Sequence, residues 1–321
     1  MNHTNTQNKN VKYYLPDGTP VFKKRIKEVN ILNMRSAREK VIFNIAFVMF
    51  LIQSLTLIFG VVWMLISSFK NPVEYVAVSK AFSLPEVWRW NNYIEAFENL
   101  IVNEGSYDET NFFGMLFNSI WYTLVVTALH VFVPTVTGYV FSKYDFRGKS
   151  VMFSIAVTAM MIPVIGSSAS NMKLYSALGL KNTPLYAVVS SLGGFGATFI
   201  VYYGFFKSVS WSYAEAVMID GGGPYTIFFK IMLPQATPIM FTYALTGAIA
   251  NWNEYTTMIL YLPSYPTLAS GLFEYKANSI RGANYPVYYA GLIISMIPTL
   301  AIFSVFSNKI MTSLSMGGLK E

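Results

Sequence analysis

The sequence predicts an all-α, polytopic membrane protein of six transmembrane helices, and three observations carry that prediction. Of its 321 residues, 54% are hydrophobic and only 12% charged, which leaves too little polar surface for a soluble chain of this length. Asp, Glu, Lys and Arg fence off six uncharged stretches of 23 residues or more: 41–69, 111–142, 150–172, 182–206, 231–253 and 282–308. Each is long enough to cross a hydrocarbon core of about 30 Å as a helix. The basic residues then alternate between the segments that join these stretches. With the N-terminus inside, 16 of 23 Lys and Arg lie in the cytoplasm and 7 outside, so both termini are expected to be cytoplasmic. The net charge of +7 is in this light a sign of topology rather than of nucleic-acid binding.

In chain order, 1–40 is expected to be a cytoplasmic segment. Its first ten residues are polar and disordered, and 21–40 is a basic helix on the inner leaflet, with Val21, Phe22, Ile26, Val29, Ile31 and Leu32 between the charges. The first span is too long for the apolar core of a cleavable signal, so it is expected to remain as an anchor. The segment 70–110 carries three basic and seven acidic residues and is too long for a turn. The second span contains His130, which on an apolar helix reads as a packed residue rather than a ligand. In the short loop after it, Gly148, Lys149 and Ser150 look like the end of a phosphate-binding loop. That pattern needs a glycine five positions before Gly148, where Lys143 stands, so no nucleotide site is expected.

Pro163, Gly166 and neighbouring serines weaken the third span, either because it borders a polar path or because small residues pack helices closely. The fourth span is rich in glycine. The fifth, from Leu233 to about Leu262, ends in Asn251, Trp252, Asn253, Glu254 and Tyr255. The sixth runs into the tail 309–321. The six spans, 41–308, form one domain. There is no cysteine, so disulfides and thiolate chemistry are excluded, and no catalytic or metal-ligating set stands out.

One stretch states a task. Within 207–234, Trp211 to Asp220 lacks Gly and Pro and is expected to form a helix of about three turns. Gly221, Gly222 and Gly223 break it, and Pro224 is placed to start a second helix. Small Ala214 and Ala216 flank Glu215, so the first helix can lie close in another protein's groove and offer one carboxylate to an arginine. The plain alternative is a solvated loop with a glycine hinge.

The spacing of Glu215, Ala216 and Val217 ahead of Gly221, then Ile231, Met232, Leu233 and Pro234, resembles the EAA loop of binding-protein-dependent ABC importer permeases. From about Val41 to Lys320 the chain is similar to the smaller membrane subunit of maltose-type carbohydrate importers. The tracts that carry this are NSIWYT from Asn118, GLKNTPL from Gly179, WNEY from Trp252, and Gly317 and Lys320 in the tail. The chain departs from the family's usual pattern at Val217, Ser210 and Ser313. The resemblance implies a type I importer fold whose cytoplasmic coupling helix docks through Glu215, Ala216, Val217, Asp220 and Gly221, with Gly317 and Lys320 also touching the ATPase. It implies a second related permease, two ATP-binding subunits that hold ATP and Mg, an extracellular solute-binding protein, a sugar or oligosaccharide substrate, and a bacterial cytoplasmic membrane as location. No cofactor is expected on this chain.

Two other classes fit less well. An ion-coupled secondary transporter would keep an ionisable residue at mid-membrane, and none of the six stretches has one. A membrane enzyme acting on lipid-linked sugars would show an acidic cytoplasmic motif, and none is present. For Asn251, Trp252, Asn253, Glu254 and Tyr255 two readings stand. They are an interfacial aromatic belt, or part of them contacts sugar, with amides and a carboxylate for hydroxyls and rings for C–H faces.

Overall fold

In the computed structural model the described residues are 11–14, 20–22, 37–103, 106–162, 166–279 and 284–317. The chain divides into two compact units, 1–62 and 63–321. The division falls inside the first helix.

In the first unit, strands β1 (Val11–Tyr14) and β2 (Pro20–Phe22) pair antiparallel, with Tyr14 opposite Pro20 and Val11 opposite Phe22. This corrects the expected basic helix over 21–40 at its start, because Val21 and Phe22 are in extended backbone. Residues 23–36 lie outside the described set, as do the first ten, for which disorder was expected. Helix α1 (Ala37–Ser68) begins before the uncharged stretch does. Its large apolar side chains are exposed from Val41 to Val62.

The second unit is organised around α4 (Phe112–Lys143). Phe112, Met115, Ser119, Thr123, Thr127, Val131, Pro134, Gly138 and Phe141 are all buried, and their spacing of three or four residues puts them on one stripe. Asn111 caps the start, accepting from Gly114 N at 3.0 Å. Along this stripe α4 packs on α8 (Ala197–Ser208) and α11 (Leu233–Trp252). The contact with α8 is close at Gly138, where a Cβ would come within 2.7 Å of Tyr202 Cβ and 2.9 Å of the Tyr203 nitrogen.

The third and fourth uncharged stretches are not continuous helices. The third divides into α5 (Lys149–Met161) and α6 (Ser168–Ala177), with Gly166 at φ +76° between them and Pro163 outside the described residues. The fourth divides into α7 (Leu185–Ser191) and α8, with Leu192 to Gly196 non-helical. Three helices are long and apolar enough to cross a membrane among the described residues: Glu39–Ser68, Phe112–Lys143 and Tyr285–Ser304. The last is part of α14 (Tyr285–Gly317).

The segment between the first two spans carries α2 (Pro72–Val76) and α3 (Asn91–Asn99). Buried Asn92 ties α3 to the end of α1, its Nδ2 donating to Ser68 O at 2.7 Å and Lys70 O at 2.9 Å. Lys70, 1% exposed, donates to Lys80 O at 2.6 Å. The loop after the fifth span holds α12 (Thr256–Tyr261) and α13 (Leu268–Ser279). Leu268 and Leu272 of α13 join Ala96, Leu100, Met115 and Val287 in one apolar core.

Candidate functional site

The stretch around Glu215 folds as α9 (Ser212–Ile219), a turn, α10 (Pro224–Thr226), a six-residue π-helical turn (Ile227–Met232), and then α11. Helix α9 is about two turns rather than three. Asp220 ends it and Gly221 follows at φ +79°. Gly221 N donates to Met218 O at 3.0 Å and Gly222 N to Val217 O at 2.8 Å, the paired bonds of a Schellman ending, which satisfy two orphan carbonyls. Only Gly221 of the three glycines uses positive φ. Gly222 is required for a different reason: a Cβ there would meet Val217 Cγ1 at 2.4 Å. Gly223 caps the next helix and Pro224 starts it, where a missing N–H costs nothing.

The π turn has a local cause. Pro234 offers no N–H to the preceding turn, and Leu233 N donates to Phe228 O, five residues back. The wider turn presents Ile227, Phe228 and Met232 to one side, where they bury with Tyr139, Tyr202, Phe206 and Ala236. Ala214 of α9, 0% exposed, belongs to the same core. This corrects the expected role of Ala214: its small side chain lets α9 lie against its own chain, not against a partner. Val217 is half-buried on that same side, so it too is partly committed to this core.

The opposite side of α9 is open. Glu215, Ala216, Asp220 and Gly221 are exposed, and Glu215 makes no ion pair among the described residues. Beside them stand Tyr213, Met218, Ile219 and Tyr225, with Ile219 86% and Tyr225 82% exposed. Ile219 lies one turn after Glu215 and so shares its face. These four apolar residues were missed in the sequence, where nothing separates them from the other large apolar side chains of 207–234. Gly317 is the last residue of α14, and Lys320 lies outside the described residues.

The second candidate set separates into fixed and free members. Asn251 donates to Thr127 Oγ1 at 3.0 Å, joining α11 to α4. Trp252 is 7% exposed and donates to Ser295 O of α14 at 3.1 Å. Trp252 thus packs between α11 and α14 as part of the apolar core. Helix α11 ends at Trp252, so Asn253, Glu254 and Tyr255 form a turn rather than more of a helix reaching Leu262. Glu254 accepts from Thr257 N at 2.9 Å, satisfying an orphan donor in the first turn of α12. Asn253 and Tyr255 are exposed, although the Asn253 amide also donates to Ile249 O at 2.8 Å. Tyr255 stacks on Phe273 of α13 with ring centres 4.6 Å apart and planes 17° apart, an aromatic pair the sequence did not suggest. His130 is exposed on α4.

Comparison with known proteins places this geometry. The permease protein of a diacetylchitobiose uptake system from Streptomyces coelicolor is 26% identical over 277 residues, covering 85% of this chain and 87% of that one. The permease protein of an arabinooligosaccharide transport system from Bacillus subtilis is 25% identical over 293 residues, covering 89% and 99%. A crystal structure of a bacterial ABC transporter that imports alginate has the same fold, with TM-score 0.65 and 23% identity over 85% of this chain and 98% of the other. Residues 135–314, which include α9, the π turn and the Asn251 to Tyr255 turn, match the family described as binding-protein-dependent transport system inner membrane component, and the chain belongs to that family.

Proposed function

We propose that this chain is the permease subunit of an ATP-driven importer of a sugar or oligosaccharide. It forms the translocation pathway with a second, related permease, and an extracellular binding protein delivers the substrate. Two ATP-binding subunits drive it, and the one that docks on α9 pairs a basic residue with Glu215, with Gly317 and Lys320 as further contacts. ATP and Mg belong to those subunits. The observation that carries the reading is the division of α9 between a buried and an open side. Ala214 fixes the helix to the core formed by α4, α8 and the π turn, while Glu215 and Ile219 face outward. A push on the open side therefore reaches the long helices through packed side chains. The sugar assignment is supported by the substrates named for the two relatives, diacetylchitobiose and arabinooligosaccharides.

The six-span arrangement in the cytoplasmic membrane, with both termini inside, is supported by the 16 to 7 distribution of basic residues. The chain has no native cysteine, so a cysteine at Ser106 gives a clean probe. It should react with an impermeant maleimide from outside; reaction only from inside would overturn the topology. Function is tested by uptake of a panel of labelled glycans in cells with and without this subunit. Loss of one glycan's uptake, restored by the parent chain but not by Glu215→Ala, is the expected result. Uptake that is indifferent to the subunit for every glycan would overturn the sugar assignment.

A further inference from the structure

The short segment joining α4 to α5 forms a cleft that the transport reading does not use. It has a volume near 490 Å³ and is lined by Asp145, Phe146, Gly148, Lys149, Ser150, Val151, Phe153 and Tyr203. We propose that this cleft is a docking surface for an anionic phospholipid of the inner leaflet, an assignment that rests on the cytoplasmic placement of this segment.

Charge complementarity is the first argument. Four cations, Lys143, Arg147, Lys149 and Lys207, meet one carboxylate, Asp145. Lys143 is committed, since its ammonium donates to Val209 O. Lys149 is held in place by Asp145 at 2.9 Å and by Tyr144 O at 2.8 Å, and Asp145 itself is 99% exposed. Arg147 lies between two lining residues, is exposed, and makes no ion pair among the described residues. Lys207 stands 5.7 Å from the ring centre of Tyr203, on the wall of the cleft. The first turn of α5 adds neutral donors: Gly148 supplies no side-chain cap, and the N–H groups of Ser150 and Val151 have no backbone acceptor among the described residues.

The second argument separates a lipid from a soluble phosphate. Phe153 packs on Tyr203 with centres 4.8 Å apart, giving the cleft an aromatic wall. Directly beyond it α5 exposes Val151 and Ile155, each 63%, and Met152, 46%. A headgroup seated at Lys149, with Arg147 and Lys207 next to lining residues at the edge of the cleft, thus has an apolar strip beside it on which an acyl chain can lie. A free anion has no use for that strip. Lys and Arg near an anionic leaflet attract its lipids with a strength that corresponds to about fivefold per charge.

The test is native mass spectrometry of the assembled importer, released from micelles containing equal phosphatidylglycerol and phosphatidylcholine. The parent should retain phosphatidylglycerol on the order of 25-fold over phosphatidylcholine, about fivefold for each of Arg147 and Lys207. Arg147→Gln/Lys207→Gln should bring the ratio near parity, while Lys276→Gln, at a basic residue elsewhere, should leave it unchanged. Lys149 is kept because it also braces the loop. Equal retention by the parent, or a preference that survives the double variant, overturns the proposal. So does displacement of phosphatidylglycerol by millimolar inorganic phosphate, which would show a soluble-anion site. A preference seen in the isolated chain but absent from the assembled importer gives the surface to a protein partner and overturns it as well. Maleimide labelling of Ser150→Cys reports the orientation separately. Labelling from outside refutes the inner-leaflet assignment through the topology, whereas cytoplasmic labelling without lipid preference refutes the cleft alone.

Discussion

Glu215 and Glu254 are the same residue type, each in or beside a short helix next to small or aromatic neighbours, yet the fold treats them in opposite ways. Glu254 is half-buried and its carboxylate accepts from Thr257 N in the first turn of α12. Glu215 already lies within the first turn of α9, where its own N–H donates to Trp211 O, and its carboxylate has no ion pair among the described residues. The difference is one of local demand. A carboxylate just before a helix meets orphan backbone donors and is taken up by them. One inside the helix projects outward and stays available to another molecule. The same distinction divides Ala214, buried in its own core, from its neighbour Ala216, which is exposed.

The largest test of this contrast is Glu215→Ala. Loss of one member of a partly buried interfacial pair costs on the order of 2 to 5 kcal/mol, so sugar-stimulated ATP turnover should fall at least tenfold while the protein still inserts. Normal turnover would show that the free carboxylate is idle. Next comes Ala214→Leu, which overpacks a closed core at a cost of about 1 to 3 kcal/mol. It should lower thermal stability, and Ala216→Leu should not; equal stability of the two would erase the distinction between the sides of α9. Glu254→Gln should cost about 1 kcal/mol through the weakened cap, read as a small drop in melting temperature with ATP turnover retained. A collapse of turnover as large as that of Glu215→Ala would make the two carboxylates functionally alike. The smallest effect is expected at Tyr255→Ala, which removes an aromatic pair worth about 0.5 to 1.5 kcal/mol. It should weaken the sugar dependence of ATP turnover by less than tenfold and leave turnover driven by the empty binding protein unchanged. No change in sugar dependence would leave Tyr255 and Phe273 as packing only.

Much of this was legible before any coordinates. The charge-free stretches located α4 and α14 because a long apolar run with few alternatives must satisfy its backbone internally. Gly221 and Pro224 located the end of one helix and the start of the next because each answers a specific backbone requirement. Three features were not legible. The break between α7 and α8 falls on Gly193, Gly194 and Gly196, which the sequence read only as a glycine-rich span, and the close approach of Gly194 to Thr137, where a Cβ would meet Oγ1 at 2.5 Å, comes from a distant helix. The packing of Trp252 was not legible because the carbonyl it donates to, that of Ser295 in α14, lies 43 residues away. Phe273 was overlooked because its partner Tyr255 lies across a loop whose folding into α13 required the distant Met115 and Leu100 as a floor.

The π turn has a consequence for how length changes are tolerated in this protein. A π turn holds one residue more than the α-helical turn it replaces, and one residue in an α-helix corresponds to about 100° of rotation. Ile227–Met232 therefore absorbs one residue between the loop that carries Glu215 and the whole of α11 without a change of angular phase. Deleting Phe229, which is half exposed, would let the turn close to α-helical pitch and leave α9 facing as before relative to Asn251 and Trp252. A single-residue deletion here would be taken up locally, whereas the same deletion in the middle of α4 would rotate one half of the buried stripe on which the second unit is built by about 100° against the other.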